Sequence, residues 1–185
     1  LDDAAVILTK PEMILKVLCP LHDKIAELLQ DKLLDKLHLN VATTVIRAYM
    51  WDLLRTATIS EHAPRIVIAT PKGQHNEIKA LALALIAVEA GWRSVYSGPN
   101  LPAREIAKMI EFKQAQAAAL SVSVHSNKRQ IKTYLSEVQR RLDDNVKIFI
   151  CDNGSALRNY TPRNNVFITK MINFRQTLEG LTVEN

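Results

Sequence analysis

The run Arg65-Ile-Val-Ile-Ala-Thr70 constrains this 185-residue chain more than any other segment. A short apolar run rich in β-branched residues reads as a strand buried on both faces, which requires helices above and below the sheet. The run passes through Pro71-Lys-Gly73-Gln-His75 into an apolar helix from Ile78 to Ala90, so strand and helix are joined by a few residues. That order is the first half of a parallel crossover unit. The alternation continues, with strands expected at 65–70, 93–97, 116–123, 146–151 and 165–168 and helices near 75–90, 102–112, 126–142 and 171–179. The expected class is α/β, a five-stranded doubly wound parallel sheet.

Residues 1–62 carry a different period. Apolar positions recur at three and four, through Ile25, Leu28 and Leu29 and then Val41, Val45, Ile46, Tyr49, Met50, Leu53 and Leu54, with Pro11 and Pro20 read as first-turn prolines. This segment is expected to be a small helical bundle, a cap preceding an α/β domain over 63–185, with the junction near Ser60 to Pro64. The chain begins at Leu1 rather than Met, which implies a fragment of a longer protein. Apolar runs are short and broken by charge, so neither a signal peptide nor a membrane span is expected, and the location expected is cytoplasmic. Two cysteines, Cys19 and Cys151, suit a reducing compartment as buried thiols. The formal charge of +5 is scattered, with Lys128-Arg129, Arg140-Arg141 and Arg55 lying among acids. Such charges are solvated faces and form no stripe for nucleic acid.

The chemistry-bearing residues collect at one edge of the expected sheet. His75 lies where the first strand becomes a helix, which is the ligand edge of a doubly wound sheet. Gly98-Pro99-Asn100-Leu-Pro102, the strand end Ser121-Val-Ser123 with His125, and Asp152-Asn153-Gly154 fall at the same edge. A ligand there would be bounded by residues 71–78, 97–100, 121–125 and 151–155. A neutral imidazole at 75 can give a lone pair to a metal once its other nitrogen is held. Lys72-Gly73 lacks the glycine spacing of a phosphate loop, so a nucleotide is not expected. His22, His38 and His62 have no metal-ligand spacing and are expected in surface or capping roles. No acid pair, Cys-His pair or Ser-His-Asp order reaches the ligand edge, so the chain is not expected to be an enzyme. Trp51, Trp92 and Tyr96 are spaced as core anchors.

At these residues the chain resembles cobalamin-binding domains, in which a helical cap precedes a five-stranded Rossmann-like domain with an Asp-x-His-x-x-Gly loop after its first strand. It is nearest in texture to the effector domain of light-sensing MerR-type transcription regulators of the CarH/LitR kind. Gly73-Gln74-His75-Asn-Glu-Ile78 occupies the histidine loop, with Gly73 in place of the acid and Ile78 in place of the glycine that gives the nucleotide tail room. Ala90-Gly91-Trp92-Arg-Ser-Val-Tyr-Ser-Gly98-Pro99 matches the second strand and its turn, Ser121-Val-Ser123 the serine motif, and Asn153-Gly154 the glycine pair of the tail groove. Trp51 and Glu61-His62 have the family's literal Trp-x9-Glu-His spacing, but Pro64 leaves no room for the helix that such a pair begins. The better register puts Leu29 at the Trp position and Leu39-Asn40 at the Glu-His pair.

The resemblance implies a ligand- or light-sensing effector domain of a MerR-like regulator, a photoreceptor-type module holding a tetrapyrrole between helical cap and α/β domain. The cofactor implied is cobalamin, with His75 as the axial ligand to cobalt; the degenerate motifs leave room for a bilin, a haem or no cofactor. The contacting set expected is Gly73, Gln74, His75, Ile78, Ser121, Ser123, Asn153, Gly154, Leu29, Leu39 and Asn40. A homo-oligomer is implied, with DNA reached only through a domain outside this chain and no membrane contact. The alternatives are a corrinoid carrier subunit of a methyltransferase or mutase, and a ligand-free dimerisation domain.

Overall fold

The apolar run after Pro64 forms the first of five strands in a computed structural model that describes residues 8–123, 126–152, 157 and 165–182. These are β1 (Arg65–Ala69), β2 (Arg93–Tyr96), β3 (Ala117–Val122), β4 (Lys147–Asp152) and β5 (Val166–Thr169). The sheet order is β2-β1-β3-β4-β5 and every pair is parallel. The helices are α1 (Cys19–Gln30), α2 (Lys36–Arg55), α3 (Glu77–Glu89), α4 (Ala103–Lys113), α5 (Lys128–Gln139) and α6 (Met171–Thr182). The expected α/β class with a doubly wound parallel sheet is what forms.

Period two along the strands sorts the core into two layers. Val67, Ala69, Ala118, Leu120, Val122, Ile148 and Ile150 pack with α4 and α5, where Ile106, Ile110, Ile131, Leu135 and Val138 are buried. The alternate residues, Ile66, Ile68, Ala117, Ala119, Ser121, Phe149 and Cys151, are also buried, on the side where α3 and α6 pack. Helix α3 is apolar nearly all round, with every residue from Ala80 to Ala87 buried. A helix enclosed on all sides has this composition, and its alanines allow close approach to β1 and β3. Phe149 of β4 stacks on Phe167 at 5.3 Å and meets Phe174 of α6 edge-on at 5.6 Å. Cys151 is a buried free thiol, and burial pushes its pKa above the ordinary range.

The chain divides at Ala57 and Thr58, a few residues before the expected Ser60 to Pro64 junction. The Thr56 hydroxyl bonds Asp52 O at 2.8 Å as α2 ends, so the helical unit is finished before the strand's lead-in begins. Within the helical unit, α1 and α2 pack on each other. Pro20 stands in the first turn of α1, as expected, though no break in the chain precedes it. A helical turn at Lys10–Glu12 runs through a π-helical stretch, Met13–Leu18, straight into α1, and the wider π turn ends with Cys19 N donating to Ile14 O. Proline lacks the N–H and its ring crowds the preceding carbonyls, and a π turn is a usual place for a helix to absorb that misfit. Trp51 departs from the expected core role: it is 44% exposed, because Ile46 and Met50 hold the buried stripe of α2 and residue 51 is rotated away from it. Trp92 is buried as expected. His22 is buried rather than on the surface, whereas His38 caps α2, accepting from Asp35 N at 3.2 Å. Glu61 and His62 lie in an exposed turn, and β1 begins at Arg65.

Among the described residues, no helix is long and apolar enough to cross a membrane. The Phe174 ring is fully buried against Phe149, so Phe174→Ala should destabilise by about 3–5 kcal/mol through lost burial and a cavity. Urea denaturation read by circular dichroism measures it, and a loss below about 1 kcal/mol would mean that α6 is not docked as described.

Candidate functional site

Strand order reverses between β1 and β3: β1 connects outward to β2 on one side, and the chain returns to place β3 on the other. At such a switch point the loops leaving two adjacent strands diverge, and a crevice opens beyond their carboxyl ends. The loop after β1 is fixed there by its own first residue. Thr70 is 1% exposed; its hydroxyl donates to Gln74 O at 2.5 Å and accepts from Asn100 N at 2.8 Å. Asn100 Oδ1 accepts from Gly73 N at 2.7 Å, and Leu101 N donates to Thr70 O at 2.9 Å. Gly73 sits at φ 85°, a left-handed backbone that glycine adopts at little cost. The loops after β1 and β2 are thus one hydrogen-bonded block.

A second bond ties that block to β3. Gln74 Oε1 accepts from Ser123 N at 2.7 Å, spanning the switch point. Ser126 N then donates to Ser123 O at 3.0 Å, and Asn127 caps α5 by accepting from Arg129 N at 2.9 Å and Gln130 N at 3.3 Å. One turn further along α5, Tyr134 donates its hydroxyl to Leu101 O at 2.8 Å, and burial pushes its phenol pKa up, so it remains a donor.

Between the β1–α3 loop and α5 lies a cleft of about 830 Å³. Gly73, Gln74, His75 and Asn76 line one wall; Ser123, Ser126, Arg129 and Tyr134 line the other. Lys72 and Arg129 set positive charge at its walls and Glu137 negative, so neither sign dominates, and the lining mixes polar with apolar surface. His75 is exposed at the lip, and no hydrogen bond among the described residues holds its ring. Behind the lining, three covered side-chain atoms have no hydrogen-bond partner among the described residues: Gln74 Nε2, Asn76 Oδ1 and Ser126 Oγ. An unpaired buried polar atom costs roughly 1–3 kcal/mol, so three along one cleft are a concentrated debt.

The expected site residues separate into groups. Gly73, Gln74, His75 and Ser123 come together at the cleft. Ile78 and Ser121 do not reach it. Ile78, 1% exposed, is packed into the α3 layer, and Ser121 points to that same layer beside Cys151, its register partner on β4. Ser123 escapes the parity it shares with Ser121 because β3 ends at Val122 and the chain turns. Asn153, Gly154 and His125 lie outside the described residues. Leu29, Leu39 and Asn40 belong to the helical unit, Leu29 and Leu39 half-buried and Asn40 exposed. The expected boundary omitted α5, which supplies most of one wall. Its trace in the sequence was the Ser126-Asn127 cap signal, followed seven residues later by a tyrosine.

The site therefore belongs to a doubly wound parallel α/β unit that follows a helical unit in the chain. The particular likeness is to the monomethylamine corrinoid protein of Methanosarcina barkeri, with a TM-score of 0.68 at 10% identity over 97% of this chain and 87% of that one. The methanol:cobalamin methyltransferase complex of the same organism is similar with a TM-score of 0.53 at 11% identity, over 99% of this chain and 72% of that one. No family model and no curated protein matches the sequence. At these identities the likeness is one of fold.

Thr70→Val keeps the shape of the buried side chain but strands Asn100 N–H and Gln74 C=O. It should cost about 2–4 kcal/mol, measured by urea denaturation. A cost below about 1 kcal/mol would show that the loops do not depend on this hydroxyl.

Proposed function

We propose that this chain is a corrinoid-binding module in which His75 is the axial ligand to cobalt. The observation that carries the proposal is the placement of His75, on the lip of an 830 Å³ cleft at the switch point of a corrinoid-protein fold. Among the described residues, no group of three or more His, Cys, Asp or Glu could hold an ion by itself. His75 therefore suits a metal that brings its own equatorial ligands, as cobalt in a corrin does. The fit is one-sided. The family's tail groove would pass Ile78 and Ser121, and those side chains are packed into the α3 layer. A corrinoid held here would keep its nucleotide tail out of that seam.

A bound corrinoid supplies a cobalt centre whose axial bonds form and break. The chain's own residues do the holding. His75 gives a ring lone pair in its neutral form. The Gln74 to Ser123 bond and the Thr70 block fix the height of the loop that carries it. Gly73 offers no acid to orient the imidazole, so ligation is weaker than in a full Asp-x-His loop.

Within this proposal the chain is a sensor and not an enzyme in its own right: the effector domain of a MerR-like regulator answering to ligand or light, working as a homo-oligomer by population shift. The unoriented histidine favours it, since a carrier must ligate and release cobalt through every cycle. The second reading, a carrier subunit of a methyltransferase, is favoured by the likeness of 97% of this chain to the monomethylamine corrinoid protein.

Aquacobalamin added to the protein should give a red-shifted, protein-bound absorption spectrum that His75→Ala loses. Gly73→Asp should tighten binding by roughly tenfold or more, because an orienting acid raises the basicity of a ligating histidine. The Cβ at 73 meets nothing within 4 Å, and Asp tolerates positive φ better than most residues. Identical bound spectra for the wild type and His75→Ala would remove the ligand assignment. Binding of haem or biliverdin in place of cobalamin would overturn the corrinoid reading. A change of oligomer on illumination of the adenosylcobalamin-loaded protein favours the sensor; methyl transfer through the loaded protein favours the carrier.

A further inference from the structure

We propose that the outer face of α2 is a contact between two copies of this chain, paired antiparallel about a two-fold axis; the inference stands apart from the corrinoid reading, since no part of it uses His75 or the cleft. Along one side, α2 buries Ile46 and Met50. An ordinary surface helix is polar on the opposite side. Here Leu37 is 68% exposed, Val41 55%, Val45 52% and Trp51 44%. Thr44 and Ala48 are exposed between them, so the run 37, 41, 44, 48, 51 steps by four and by three, the a and d spacing of a coiled-coil seam. From Leu37 to Trp51, Arg47 is the only Lys, Arg, Asp or Glu of the helix, and it stands beside the seam rather than in it.

The sizes along the seam select its occupant. When a positions oppose d positions of an antiparallel second copy, Leu37 meets the partner's Ala48 and Val41 meets the partner's Thr44, and the two-fold axis repeats both contacts. Each large side chain then faces a small one. Trp51 reaches the partner's α1–α2 turn, where Leu33 is 70% exposed. A parallel pair would set Trp51 on Trp51 and Ala48 on Ala48, crowded at one layer and empty at the next. The polar terms agree with the antiparallel pair. Thr44 Oγ1 already donates to Asn40 O at 2.9 Å within its own helix, so covering it strands no hydrogen. Arg47 falls beside the partner's Asn40, an uncharged acceptor, and the positive end of each helix dipole lies by the negative end of the other. Leu37 to Ala48 is about 16 Å of helix. The contact is therefore small, below about 1,200 Å² in total, and the dimer is transient, with a Kd on the order of 10 μM.

Sedimentation velocity of the ligand-free protein from about 1 to 200 μM, a range that brackets this Kd, should show monomer passing to dimer. Acrylamide should quench Trp51 less as the dimer forms, while Trp92 stays buried in both states. Val41→Glu alone and Thr44→Lys alone should each hold the protein monomeric over that range. Their melting temperatures should stay within about 2 °C of the wild type, because both positions are exposed in the single chain. Mixed in equal amounts, the two variants should recover a dimer, since position 41 of one copy meets position 44 of the other. Parallel pairing opposes like positions and would recover nothing. A monomer at every concentration, or a dimer that Val41→Glu leaves intact, overturns the proposal. A larger fall in melting temperature in both variants also overturns it, because the seam would then be closed within the chain itself. A mixture that stays monomeric overturns the antiparallel pairing.

Discussion

The Thr70 hydroxyl is the interaction on which the ligand edge depends. It sits at the end of β1, 1% exposed, with one hydrogen to give and lone pairs to receive, and it joins the β1 loop to the β2 loop through Gln74 O and Asn100 N. The side chain of Gln74 then reaches across the switch point to Ser123 N. Three loops that strand topology would let diverge are held as one surface. A site built from loops can be positioned finely only when their backbone groups are paired in this way. The cleft is what remains between that surface and α5.

The two faces of the sheet divide the work. On the α3 and α6 side the packing is close: Ala117 and Ala119 of β3, the alanines of α3, and the Phe149, Phe167 and Phe174 rings leave few polar atoms to satisfy. On the α5 side the carboxyl end of the sheet opens into the cleft. Stability from the closed face offsets the cost of the open one, a usual relation between a core and a binding surface.

The fold was legible because the strands are short, apolar and punctuated. Arg65–Ala69 and Ala117–Val122 read as buried strands from composition alone, and Gly91 and Gly98 mark breaks where the structure has positive φ. His75 was legible as a loop residue at the ligand edge. What could not be read was which side of the sheet each neighbour would join. Ser121 and Ser123 look alike in sequence, yet one lies inside β3 and faces α3 while the other begins the turn toward α5. Ile78 was read as the first residue of an apolar helix and also as a cofactor contact, and because α3 starts at Glu77 its side chain is drawn into the core. Trp51 misled for the same reason, since the rotation of a helix about its axis is settled by tertiary packing and leaves little trace in local pattern.

Ile78 shapes the carboxyl edge of the sheet from the α3 side. A glycine at the start of α3 would leave a gap between that helix and the sheet; an isoleucine fills it, and the close-packed α3 seam follows. On the α5 side of the carboxyl edge lies the cleft, whose lining includes Gln74 and Asn76, the residues flanking His75. The histidine and the cleft share one loop, so the hydrogen bonds of Thr70 and Gln74 that hold that loop set the position of both.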